Sequence, residues 1–347
     1  MPELALLVLV VGAAIGFGVV NGFNDAANSV AASIGSRALS PASAIILAAF
    51  LTFAGAATGL EVAKTIGKGS KGILLPEAIL YETLFASLAA VIVWVAIATR
   101  RGLPVSSTHS LVAGLAGAGM AVTGGTDAVQ WHVMRPVLAS VIATPALGFV
   151  GGFALVIALL WTFRRNAPAR IRVIFSRLQW LTTAFLAYSL GKNNGQMPIG
   201  IIAMALVIFY QRTGQFGQAA AVWDEIAIGR GLWWVIVISS LSISLGTAVG
   251  GWRVIRTVGF KITALQPIHG FATDFSAATI IEISSRLGIP VSSTHCATAA
   301  VMGVGATRRL SAVRWGVTKN IVLAWILTFP VCGALGWVIA SLLHAVL

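Results

Sequence analysis

The sequence predicts an all-α polytopic membrane protein built from two inverted repeats, with broken helices and two re-entrant helical hairpins. Three observations carry this. Of 347 residues, 58% are hydrophobic and only 10% charged, where soluble domains average about 25% charged. Apolar runs long enough to cross a bilayer recur along the chain. One hexapeptide, Pro-Val-Ser-Ser-Thr-His, occurs twice, at 104–109 and at 290–295.

A spanning helix needs about 20 mostly apolar residues. Leu4–Gly22, Ala42–Leu60, Ala78–Thr99, Val133–Trp161, Leu232–Gly251 and Ile321–Leu347 meet that length. Shorter runs at Trp180–Leu190, Ile199–Tyr210 and Phe271–Ile283 fill the rest. The first run has no basic leader and no small-residue cleavage site, so it reads as a retained membrane segment.

The formal net charge of +13 raises nucleic acid as a partner, but the basic residues sit in connectors between apolar runs. Arg164, Arg165, Arg170, Arg172 and Arg177 form the densest group. Lys/Arg-rich short loops mark the cytoplasmic side, which accounts for the charge without nucleic acid and places that group inside the cell. Arg308, Arg309, Arg314 and Lys319 make a second cluster of unassigned side. Cys296 and Cys332 lie in apolar surroundings with no disulfide or metal-ligand spacing.

Gly102–Gly119 and Gly288–Gly305 are identical at ten of eighteen positions, hexapeptide included. A fainter echo links Gly22-Phe-Asn24-Asp25 with Gly191-Lys192-Asn193-Asn194, and both echoes occur in the same order. The chain therefore divides into a first repeat at 1–161, a basic cytoplasmic linker at 162–178 and a second repeat at 179–347. Halves with an odd number of passes face opposite ways. The inversion follows from that architecture, since hydropathy does not fix the pass count.

Three polar features are expensive in lipid. In each hexapeptide, proline followed by Ser-Ser-Thr signals a helix start, with Pro at the first helical position. The apolar run behind it suits a re-entrant arm better than a full span. Such a helix aims free N–H groups, hydroxyls and a positive dipole end at one point, as a phosphate or sulfate requires. The competing reading is an N-cap with its hydroxyls turned back on their own backbone, and His109 and His295 read as helix-start hydrogen bonders rather than proton carriers. The second feature is Asn21 to Ser29, where Gly22 and the Asn/Asp side chains are expected to interrupt a helix and free carbonyls for a cation. Asp25 is an intramembrane carboxylate, functional by default, and Asn24 and Asn28 share a helical face. The block from Gly191 to Gln196, ending at Pro198, is its counterpart. The third is Asp274, which fits an ion pathway and pairing with a basic loop residue equally well. Glu61, Lys64, Lys68 and Lys71 read as a solvated connector, as do Asp127, Asp224 and Glu225.

With these residues in view, the chain resembles the inorganic phosphate transporter family. The resemblance rests on GFNDAANSVAASIGS at Gly22–Ser36, the block Gly191–Gln196, GFATDFSAAT at Gly270–Thr279 and both hexapeptides, and it runs along nearly the whole chain. It implies a phosphate site between two hairpin tips, formed by Ser106, Ser107, Thr108, Ser292, Ser293 and Thr294 with Asn24, Asn193 and Gln196. It implies cation coupling through Asp25, Asn28, Asn194 and Asp274, with a bound sodium at Asp25, and a homodimer working by an elevator-like shift in the cell (inner) membrane. The family's second motif reads Gly-Ala-Asn-Asp. Here one carboxylate is replaced by Asn194 and a lysine, Lys192, has arrived. Lys192 is expected to tune local charge by replacing a cation or offsetting the anion; the other reading has it snorkel to an interface. Fewer coupled cations follow from either exchange. Sulfate, carried by a branch of the family, is the rival substrate. The expectation is therefore secondary active phosphate uptake coupled to sodium or protons. A passive anion channel and a membrane enzyme acting on phosphorylated lipid are the weaker readings.

Overall fold

The computed structural model describes residues 3–68, 72–228 and 231–346; Lys71 lies outside them. The helices in chain order are α1 (Glu3–Gly35), α2 (Pro41–Ala56), α3 (Glu61–Gly67), α4 (Tyr81–Arg100), α5 (Ser107–Thr123), α6 (Trp131–Thr162), α7 (Pro168–Asn194), α8 (Gln196–Arg212), α9 (Phe216–Ile228), α10 (Trp233–Val249), α11 (Trp252–Arg256), α12 (Pro267–Arg286), α13 (Ser293–Ala306) and α14 (Trp315–His344). Among the described residues no strand forms beyond an isolated bridge between Leu74 and Val129.

Five segments are long and apolar enough to cross a membrane: α1, α4, α6, α7 continuing into α8, and α14. α2 and α3 form a broken segment bent by 64°. The surface is apolar, with Ile46, Phe50 and Ile142 exposed, while Asn24, Asp25, Asn193 and Asn194 are buried. An exterior of this kind marks a membrane-facing surface. The chain is a multi-pass membrane protein.

α4 and α12 are both 20 residues long, and each turns through a hexapeptide into a shorter helix of 17 or 14 residues. The apolar run Ala78–Thr99 forms α4, long enough to cross a membrane and also the helix that leads into the first hexapeptide. The hairpins interlock across the halves. α5 packs on α14, and α13 packs on α6. Small residues allow backbones to meet there: a Cβ on Gly117 would collide with the Gly333 carbonyl, and one on Gly303 with the Phe149 carbonyl. The two repeats are distinct in sequence but clasp each other in space.

Two expectations are corrected. First, Pro104 and Pro290 do not open helices. They lie in extended segments, and the N-caps are Ser106 and Ser292, whose hydroxyls accept the amides of His109 and His295 at 3.1 Å. Second, Gly22 does not interrupt a helix, because α1 is continuous through it. A Cβ there would strike the Ile243 carbonyl of α10, and one on Gly191 the Thr52 carbonyl of α2. Both glycines serve close helix crossings. In the second half only Gly195 separates α7 from α8, three residues before Pro198, whose ring nitrogen carries no N–H to donate into a helix. Between α6 and α7 the non-helical connector is short. It spans 163–167, and Arg170, Arg172 and Arg177 stand exposed on the first turns of α7.

Candidate functional site

Midway along α1 and at the end of α7, the two Asn motifs face each other, and the hairpin tips close over them. Asn24 Nδ2 donates to the Val105 carbonyl of the first hexapeptide at 2.9 Å. Asn193 Nδ2 donates to the Val291 carbonyl of the second, also at 2.9 Å. The tips then cross over. The Thr294 hydroxyl donates to Asp25 Oδ1 at 3.3 Å, and the Thr108 hydroxyl to Asn194 Oδ1 at 3.4 Å. Thr294 also reaches the Val105 carbonyl at 3.1 Å. Each half thus anchors its own tip through an asparagine and reaches into the other half through a threonine.

Asp25 is the hub. Its carboxylate accepts from Asn28 Nδ2 at 2.8 Å, from Thr294, and from the Asn194 amide across the pseudo-symmetric junction. That amide also donates to Ser293 Oγ at 2.9 Å, and Asn28 Nδ2 reaches Thr294 Oγ1 at 2.8 Å. Asp25 and Ser107 are 4% and 3% exposed, so every polar atom here needs a partner. Ser107 Oγ and Asn28 Oδ1 have none in the structure. The first-turn amides of α5 and α13 lack intrahelical acceptors by geometry. Unpaired N–H groups and a hydroxyl at two converging helix N-termini are the groups that can cradle an oxyanion, and Asn28 Oδ1 beside Asp25 presents oxygens of the kind a hard cation takes.

The structure brings Asn24, Asp25, Asn28, Ser107, Thr108, Asn193, Asn194, Ser293 and Thr294 together. Ser106 and Ser292 join the tips; their oxygens accept the cap amides, which leaves each O–H as a donor. Three further residues make their hydrogen bonds away from this cluster. Gln196 Oε1 accepts the amides of Val62 and Ala63 at 2.8 and 3.3 Å, holding the start of α3 rather than facing the cradle. Asp274 accepts from the Thr183 hydroxyl at 2.9 Å. Thr183 precedes Asn194 by three turns of α7, about 16 Å along the axis, so Asp274 is remote from Asp25, and among the described residues it pairs with no basic residue. Lys192 donates to Glu282 at 2.6 Å, and Arg286 donates to the same oxygen at 2.8 Å. Its charge is engaged by α12, away from the gap left at Asn194.

Several contributors were not anticipated. Thr99 donates to Asn24 Oδ1 at 3.1 Å and Ser285 to Asn193 Oδ1 at 3.4 Å. They hold the same place, one residue before the end of α4 and of α12, a correspondence readable by extending the hexapeptide alignment backwards. His109 and His295 pack ring to ring at 4.9 Å; His109 also meets Phe329, and His295 stacks on Trp325 at 4.1 Å. Only their backbone amides join the helix-start bonding. Trp325 donates to the Pro104 carbonyl at 3.0 Å, so α14 braces both tips.

This geometry agrees with the comparisons to known proteins. The profile described as "Phosphate transporter family" matches residues 21–336. A "Probable low-affinity inorganic phosphate transporter" of Rhizobium meliloti (strain 1021) is 39% identical over 94% of this chain and 92% of its own length. One of the same description from Bacillus subtilis (strain 168) is 34% identical over 99% of this chain and 98% of its own. A solved structure described as "The sodium-dependent phosphate transporter" matches 99% of this chain and all of its own, with a TM-score of 0.84 at 27% identity. With the family profile spanning residues 21–336 and relatives of 39% and 34% identity covered almost end to end, the chain belongs to the phosphate transporter family.

Proposed function

We propose that the chain takes up inorganic phosphate, coupled to one cation held at Asp25, by alternating access of the cradle between the two membrane faces. The observation that carries this reading is the meeting of two helix N-termini from opposite repeats on one buried carboxylate. Orphan amides and hydroxyls contact an oxyanion without a fixed countercharge, which keeps binding weak enough for release. An anion entering against a negative-inside potential loses about 2.3 kcal/mol per charge per 100 mV, and a co-transported cation offsets that. Asp25 is the carboxylate of the cluster, and its other flank is taken by the Asn194 N–H, a donor that repels a second cation. One coupled cation is therefore the stoichiometry the cluster favours. Hydrogen phosphate can also donate its proton to a carboxylate, which sulfate cannot, and retention of Asp25 favours phosphate. Transport is read as an elevator-like shift within a homodimer.

The test is uptake of labelled phosphate and labelled sulfate into proteoliposomes, with sodium and proton gradients imposed separately. Phosphate uptake driven by one of the two gradients, with sulfate excluded, is the expected result. Uptake indifferent to both gradients removes the coupling, and preference for sulfate removes the substrate assignment. Particle size in detergent and in lipid nanodiscs tests the dimer.

A further inference from the structure

A cavity of ≈ 810 Å³ opens where the end of α1, the start of α7 and the approach to α12 meet. Eleven residues of α1, about 16 Å, separate Gly35 at its wall from Asn24 in the cradle. Its walls grade from buried Leu265 and Ile268 to exposed Leu160 and Phe260, so one side is apolar and open to the surroundings of the helices. Arg37 and Arg172 line it, and no carboxylate does. Among the described residues neither guanidinium makes an ion pair or a side-chain hydrogen bond.

Both arginines stand where structure alone would not put them. Arg37 has φ 62° and is the one non-glycine residue with positive φ among those described. Glycine is the usual occupant just past a helix end, because a Cβ is penalised there. Such an outlier points to a functional demand on the side chain. Arg172 lies in the second turn of α7, near the positive end of the helix dipole, where a cation is unfavourable. That helix begins at Pro168 without a side-chain cap, leaving its first amides aimed outward beside Ala169, another wall residue. Guanidinium groups match phosphate oxygens bidentately.

We propose that this cavity binds the phosphate headgroup of an anionic phospholipid, its acyl chains lying along Leu160 and Phe260. The Arg-rich connector at the same end is the one expected at the cytoplasmic face, where basic pockets between spanning helices meet anionic lipid. Free phosphate shares the headgroup chemistry but has no use for the apolar, outward-open wall.

Native mass spectrometry of the detergent-purified protein, titrated with phosphatidylglycerol or phosphatidylcholine, reads the site directly. Selective retention of phosphatidylglycerol is expected, weakened about tenfold or more in Arg37→Gly/Arg172→Gln and unchanged in Arg164→Gln. Glycine adopts the backbone of position 37 without strain, so the fold should survive; Arg172→Gln alone serves if the double variant does not fold. No preference over phosphatidylcholine overturns the proposal, as does equal loss in Arg164→Gln. Labelled inorganic phosphate binding that the double variant loses, with lipid retention unaffected, overturns it in favour of a free anion.

Discussion

The two halves of the cradle share one plan, and their central difference is a carboxylate at Asp25 against an amide at Asn194. In the first half Asn24 ties the tip through Val105 and Asp25 accepts the other half's Thr294; in the second Asn193 ties Val291 and Asn194 accepts Thr108. Even the glycines correspond, Gly22 against Ile243 and Gly191 against Thr52. Where the first half has a carboxylate, the second has an amide, and the amide donates to the carboxylate. The pair is self-complementary without a cation between its members. Two facing carboxylates would need one, because like charges at contact cannot both stay ionised unaided. A single substitution in a symmetric frame thus converts a potential ion-bridged junction into a hydrogen-bonded one.

Removing the asymmetry tests it most severely. Asp25→Asn leaves two amides facing each other and no carboxylate in the cluster. Labelled phosphate uptake in proteoliposomes should fall by about 100-fold or more, the scale of losing a charge-assisted contact worth about 3 kcal/mol. The exchange variant Asp25→Asn/Asn194→Asp restores the charge on the other side of the junction. If the halves are interchangeable, it should recover a substantial part of the lost rate; no recovery would show that the first half alone can hold the ion.

Asn194→Asp without the compensating change sharpens the same contrast. It sets a second carboxylate against Asp25, and only a cation between them relieves the repulsion. Uptake at low sodium and low proton concentration should drop about tenfold, the scale of a partly screened like-charge contact, while saturating cation restores it. A cation dependence identical to wild type would mean that the junction opens before ions bind.

The hydroxyls differ between halves as well, with smaller consequences. Ser293 accepts the Asn194 amide, whereas Ser107 has no partner. Ser293→Ala should lower stability by about 1 kcal/mol, one hydrogen bond, visible in the thermal midpoint. Ser107→Ala should leave that midpoint unchanged and raise the KM for phosphate instead. Equal shifts in both measurements for both variants would erase the distinction.

Much of this was legible beforehand. Repetition of Pro-Val-Ser-Ser-Thr-His and of the Asn motifs located nearly every residue of the cradle, because a duplicated site leaves the same residues twice at matched spacing. Helix boundaries were less legible. Gly22 reads as a break in any one-dimensional scan, and only the Ile243 carbonyl of a helix more than two hundred residues away shows it to be a crossing point. Pro104 reads as a helix start, yet the serine two residues later wins because its hydroxyl satisfies the His109 amide. Gln196 and Asp274 carry motif chemistry, but which way a helical side chain faces depends on its neighbours, and here those are α3 and Thr183.

Lys192 carries the smallest predicted effect. A lysine two residues from a missing carboxylate invites the inference that one replaces the other. On a helix, residues two apart point to different faces, so Lys192 turns from the junction that Asn194 enters and meets Glu282 instead. Glu282 keeps Arg286 as a second partner on the same oxygen, so removing the lysine does not strand a buried charge. Lys192→Met should therefore change phosphate uptake by less than about threefold, under 1 kcal/mol, and leave its sodium and pH dependence where wild type has it. A change in cation dependence comparable to that of Asn194→Asp would return Lys192 to the coupling site and place the asymmetry between the halves on two residues instead of one.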